Sequence, residues 1–238
     1  WTDGFSQFLK SLGLSSKINV VGPIMWYLED SNYVPNESLQ IVLFDVTPRE
    51  GANPYACFKN YYSVELMEKF VLDVVKVCNN LSEKYTINIS VLLKHKRDIS
   101  PTHSKRYLNF IDALVNDGDI RLLDHNVNTF SLINDSLLSI SVPYTSTAYV
   151  SSFLKKIGIY YDPFSEISPL LEKSDYLQFA SNYDDLQAFV EAAVAKKRNN
   201  MWISIQLKSQ LAHIILKDLV EIFGCKVVDV TDKVYTVE

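Results

Sequence analysis

The sequence has neither a G-x-G-x-x-G nor a G-x-x-x-x-G-K-[ST] segment. It therefore lacks the glycine cradles by which NAD, FAD and most ATP sites hold a pyrophosphate, and the ordinary dehydrogenase, ATPase and kinase readings lose their support. Only seven glycines occur in 238 residues, and they fall largely at the ends of predicted elements. Cysteine is scarce too: Cys57, Cys78 and Cys225 are widely spaced and odd in number, with no C-x-x-C pair and no H-E-x-x-H. That usage argues against a disulfide framework and a metal site, and it suits reduced thiols in a cytoplasmic compartment. No apolar run approaches the roughly 18 to 20 residues that cross a bilayer, and no signal-peptide pattern precedes the first predicted strand, so a soluble protein is expected. An excess of positive charge is also missing. The 23 Lys and Arg against 28 Asp and Glu leave a net charge of −5, which argues against a nucleic-acid partner but leaves room for a local basic cluster that serves one nucleotide.

What is present is an alternation of short apolar runs and amphipathic stretches. Residues 40–46, QIVLFDV, read as a buried strand ending at Asp45; residues 63–78 carry an apolar face at helical spacing behind Ser63 as cap. Strand 87–93 leads into Lys94, His95, Lys96 and Arg97, helix 103–115 stops at Asp117-Gly118, and strand 120–123 leads into Asp124 and His125. Residues 184–194 and about 201–223 read as helices towards the end of the chain. Near-continuous apolar strands alternating with helices predict an α/β fold, Rossmann-like and doubly wound, with a mostly parallel sheet. In such sheets ligands lie beyond the carboxyl ends of the strands. Position alone therefore makes Asp45 a candidate catalytic carboxylate and Lys94, Lys96 and Arg97 candidate phosphate contacts, with His95 and His125 as further candidates.

The stretch 136–163, SLLSISVPYTSTAYVSSFLKKIGIYYDP, predicts strand, tight turn, helix and strand. Pro143 ends the first strand, the hydroxyls of Thr145, Ser146 and Thr147 stand where a helix N-cap is expected, and Gly158 is read as the helix stop. A turn of this kind presents free N–H groups, the positive end of a helix dipole and hydroxyl donors to one spot, which suits a phosphate or carboxylate.

The segment PYTSTA followed by YYDP resembles the PFTS motif of bacterial surface-polysaccharide biosynthesis proteins, with Tyr144 where that motif has phenylalanine. A basic segment at the end of the strand before Lys94 is similar to that family as well, and the likeness extends over roughly residues 40 to 190. Those proteins resemble glycosyltransferases of the two-domain B type, including transferases that use CMP-linked Kdo or sialic acid.

The resemblance implies one half of such a fold, and with Trp1 in first place the expectation is a single Rossmann-like domain, 1–238, belonging to a longer chain. It implies a donor-nucleotide-binding half acting in lipopolysaccharide or capsule synthesis. Tyr144, Thr145, Ser146 and Thr147 would then hold phosphate, with Lys94, Lys96 and Arg97 balancing its charge. Glu166 would contact the nucleotide ribose, and Asp162, just beyond the last strand of the motif, is a further candidate. The implied partners are a nucleotide sugar and a glycan or lipid-linked acceptor, at the inner face of the cytoplasmic membrane, with no cofactor beyond the donor and no metal. Two alternatives stay open: a non-catalytic Rossmann-like module that binds an anion or a partner, and a UDP-sugar epimerase-like enzyme.

Overall fold

The structure, a computed structural model, describes residues 10–13, 17, 39–48, 63–95, 98–167 and 175–199. The chain divides into two compact units, 1–193 and 194–238, of which the first holds the sheet.

Its frame is a six-stranded sheet. Strand β1 (Leu39–Phe44) is followed by helix α1 (Val64–Tyr85), β2 (Ile89–Lys94), α2 (Lys105–Asn116), β3 (Arg121–Leu123), α3 (Thr129–Asp135), β4 (Leu138–Ser141), α4 (Ser146–Phe153), β5 (Ile157–Tyr161) and β6 (Leu177–Ala180); a last helix, α5, covers 183–199. The order across the sheet is β3-β2-β1-β4-β5-β6, and all five pairings are parallel. The expected doubly wound α/β fold is therefore what the chain adopts. Because the order runs outward in both directions from β1 and β4, the connections diverge there and leave a crevice beyond the carboxyl ends of those two strands.

Local chemistry explains the elements. Ile41, Val42 and Leu43 have no exposed surface, as a strand covered on both faces requires. Helix α1 starts where the Ser63 hydroxyl accepts from the Leu66 amide at 3.1 Å, and it buries Leu66, Met67, Phe70, Val71, Val74, Val75, Cys78 and Leu81. Burial pushes the Cys78 thiol up to about 12, so this cysteine behaves as a small core hydrophobe; Cys57 and Cys225 lie outside the described residues. Helix α2 is capped by Ser104 and begins at Lys105, two residues after the expected start. On the opposite face of the sheet, Val42, Phe44, Leu92 and Leu123 pack with Phe130, Leu132, Ile133 and Val150 of α3 and α4.

Three expectations need correction. Gly158 does not end a helix: α4 stops at Phe153, the chain reverses through Lys155 at φ 54°, and Gly158 lies inside β5. Its role is contact, since a Cβ there would stand 2.8 Å from the Ala148 carbonyl oxygen and 3.0 Å from the Ser151 Cβ; the bare glycine lets α4 rest on the sheet. Strand β6 was not anticipated, because four residues with a glutamine among them give too short an apolar signal. Finally, α5 continues through Lys196, Lys197 and Arg198 to 199, where the charged run had suggested a break. The sequence also reads as a short helix over 5–12, of which residues 5–9 lie outside the described residues, as does the stretch 201–223.

Candidate functional site

Register fixes the geometry of the crevice. Phe44 pairs with Lys94 on one side and with Ser141 on the other, so the three residues form one row across β2, β1 and β4. Side chains in a row share a face. Phe44 packs toward α3 and α4, and Lys94 and Ser141 therefore project to that face as well, at the carboxyl edge.

Ser141 shows what the face meets: its hydroxyl shares a 2.6 Å hydrogen bond with that of Thr147 in the first turn of α4. The preceding turn is held tightly. Thr145 donates its hydroxyl proton to the Val142 carbonyl at 2.8 Å, and the Tyr160 hydroxyl donates to the Thr145 carbonyl at 2.6 Å. Thr145 occupies the N-cap position yet makes no side-chain cap bond. The expectation of a hydroxyl cap is thus corrected: the Thr145 hydroxyl is directed at the Val142 carbonyl and accepts from no amide of the first turn. Tyr144 sits at the tip with φ 61°, a left-handed conformation that costs a non-glycine residue energy and clusters at functional positions. Tyr144 is 44% exposed, and its ring lies 5.9 Å from that of Tyr160. Ser146 is exposed beside it.

Lys94 is 6% exposed, and among the described residues it forms no ion pair. Desolvation lowers its pKa, opposed in part by the charges of Asp124 and Asp45. An ammonium that is largely withdrawn from water without a bonded carboxylate is suited to an incoming anion.

The alternate residues of the same strand ends point the other way, toward α2. Asp45 has no exposed side-chain surface, and its Oδ2 lies 2.7 Å from His95 Nδ1. The Tyr107 hydroxyl of α2 donates to the same oxygen at 3.0 Å, and the Thr47 hydroxyl approaches at 3.3 Å. Burial, then the neighbouring Asp45 charge, raise the Tyr107 phenol well above its ordinary range, so it stays protonated and donates. Nothing in the sequence singled out Tyr107 or Thr47; an aromatic on the apolar face of a helix reads as core.

The remaining candidates separate. Asp162 is buried and spends its carboxylate on the amides of Phe164 at 3.2 Å and Ile167 at 2.7 Å; it shapes the loop and is not open to a ligand. Glu166 is exposed on that loop. His125 lies beyond the edge strand β3, with exposed Asp124 and Asp98 carboxylates 3.6 and 3.9 Å from its Nδ1, away from the β1/β4 crevice. Lys96 and Arg97 lie outside the described residues. Among the described residues no group of three His, Cys, Asp or Glu side chains could hold a metal, and no helix is long and apolar enough to cross a membrane.

No curated protein sequence matches the chain. Among solved structures, a UDP-GlcNAc 2-epimerase from Methanocaldococcus jannaschii, in complex with UDP-GlcNAc and UDP, is similar at 14% identity and a TM-score of 0.40, over 66% of this chain and 39% of that one. The E. coli heptosyltransferase WaaC, with ADP-2-deoxy-2-fluoro heptose, is similar at 12% identity and a TM-score of 0.41, over 79% of this chain and 53% of that one. The chain thus spans about two-fifths of the epimerase and about half of the transferase. The family described as polysaccharide biosynthesis PFTS motif protein matches residues 1–190, and the chain belongs to that family.

Proposed function

We infer that the chain carries the donor-nucleotide site of a glycosyltransferase in surface-polysaccharide synthesis, with a CMP-activated acidic sugar of the Kdo or sialic acid kind as donor. The observation that carries this reading is the row at the carboxyl edge: a desolvated Lys94 without an ion pair among the described residues, on the same face as the first turn of α4. In this reading the Ser146 and Thr147 amides and the Ser146 hydroxyl take the phosphate oxygens. Lys94 balances the charge, joined by Lys96 and Arg97 next in the chain. Tyr144 flanks the bound nucleotide and Glu166 meets its ribose. Donors aimed at the phosphate stabilise the departing nucleotide, which is where negative charge grows during transfer. The acceptor is a glycan or a lipid-linked glycan, and no cofactor beyond the donor is called for.

Thermal unfolding with CMP, CDP, UDP, GDP and ADP tests the reading. A ligand at a hundred times its Kd adds about 2.7 kcal/mol of stability, so CMP is expected to raise Tm clearly above the other four. Stabilisation by UDP alone favours an epimerase-like activity; no response to any of the five favours a non-catalytic module.

A further inference from the structure

We propose that His95 takes the proton of the acceptor hydroxyl during transfer, and that Asp45, the obvious carboxylate, acts through it as a positioning residue. The proposal rests on the glycosyl-transfer reading above.

The Asp45 side chain has no exposed surface and is approached by His95 Nδ1, the Tyr107 hydroxyl and the Thr47 hydroxyl. A carboxylate enclosed by three donors does not reach a sugar. The His95 imidazole, joined to it at 2.7 Å, keeps 7% of its surface exposed at the end of β2. We place the ring proton on Nδ1, where it donates to the Asp45 carboxylate at 2.7 Å. The neutral ring then carries its lone pair on Nε2, which has no hydrogen-bond partner among the described residues. That is the arrangement of a general base held by a carboxylate.

His95 follows Lys94 directly, so the proton acceptor and the phosphate cation leave the same strand end on its two faces. In the step, the acceptor oxygen forms a bond to the anomeric carbon while its proton passes to Nε2. The bond from that carbon to the donor phosphate breaks, its electron pair leaves with the nucleotide, and the imidazolium then gives its proton to water.

The test uses CMP-N-acetylneuraminate, with water in place of the acceptor, and measures CMP release together with CMP affinity by calorimetry. His95→Gln keeps a donor toward Asp45 and is expected to fold and to bind CMP as the unaltered protein does. Its turnover is expected to fall by about 10²- to 10⁴-fold at unchanged KM. Asp45→Asn is expected to lower turnover as well, and added imidazole is expected to restore part of it to His95→Gly but none to Asp45→Asn. A purely structural role would shift Tm and leave imidazole without effect. Full turnover in His95→Gln overturns the proposal alone, as does CMP binding by the unaltered protein without any CMP release. Failure of the unaltered protein to bind CMP overturns the donor reading, and this proposal with it.

Discussion

Lys94 and Ser141 are both in-register partners of Phe44, so residues 47 positions apart in sequence stand two strands apart on one face of the sheet. At about 4.8 Å per strand, their backbones are roughly 10 Å from each other. A lysine side chain and a hydroxyl at the start of a helix close that interval from both sides. The gap between them lies where strand order reverses, which is where open α/β sheets hold ligands.

Replacing Lys94 by Met separates binding from folding. The ammonium is held against a desolvation cost, so its removal is expected to leave Tm unchanged or raised. A charge-assisted bond to phosphate contributes on the order of 1.5 to 3 kcal/mol, and CMP affinity is expected to fall by about tenfold or more. Calorimetry and thermal melts on the same preparation check both.

The same residue sets a pH dependence. The folded pKa of Lys94 lies below the ordinary lysine range, so the folded chain gives up this proton at a lower pH than the unfolded chain does. Below the lowered pKa the buried charge costs stability, and that cost is relieved as pH rises from it to the ordinary lysine pKa of the unfolded chain. Phosphate affinity runs the opposite way: it is full below the lowered pKa and declines above it, before a free lysine would titrate. Titrations with CMP across the alkaline range are expected to show this decline, and in Lys94→Met it is expected to be absent.

Tyr160→Phe removes only the hydroxyl that pins the Thr145 carbonyl. The buried bond is expected to contribute about 1 kcal/mol to stability, read from the urea midpoint. Because that carbonyl belongs to the residue preceding the first turn of α4, CMP affinity is expected to weaken a few-fold although Tyr160 is not placed against the phosphate.

Gly158→Ala forces a methyl against the α4 backbone at 2.8 Å. Overpacking of this kind costs about 1 to 3 kcal/mol, and since the helix must lift, both the urea midpoint and CMP affinity are expected to drop together. Independence of the two would detach α4 from the site.

The frame was legible where a strand is a largely apolar run or a helix has an apolar face, as at 40–46, 63–78 and 137–142; β6 offered neither. The turn at Thr145 was legible in place but not in detail. A Ser/Thr cluster before a helix promises a cap, and only the structure shows Thr145 spending its proton on Val142 while Thr147 meets Ser141. Gly158 misled because a glycine after a helix and a glycine under a helix look alike in sequence. The surroundings of Asp45 were not legible at all. Tyr107 lies 62 residues away, and no local pattern distinguishes a core tyrosine from one whose hydroxyl faces a buried carboxylate.

The central claim is that Lys94 and the first turn of α4 hold one phosphate between them, and a double-mutant cycle on CMP binding tests it most directly. The cycle compares Lys94→Met, the pair Ser146→Ala with Thr147→Val, and the combination, each titrated calorimetrically. Both sets are expected to weaken binding, by about tenfold for Lys94→Met. The combination is expected to lose less than the sum of the two, with a coupling of roughly 0.5 kcal/mol or more, because both act on the same group. Unaltered CMP affinity in all three variants would contradict the account.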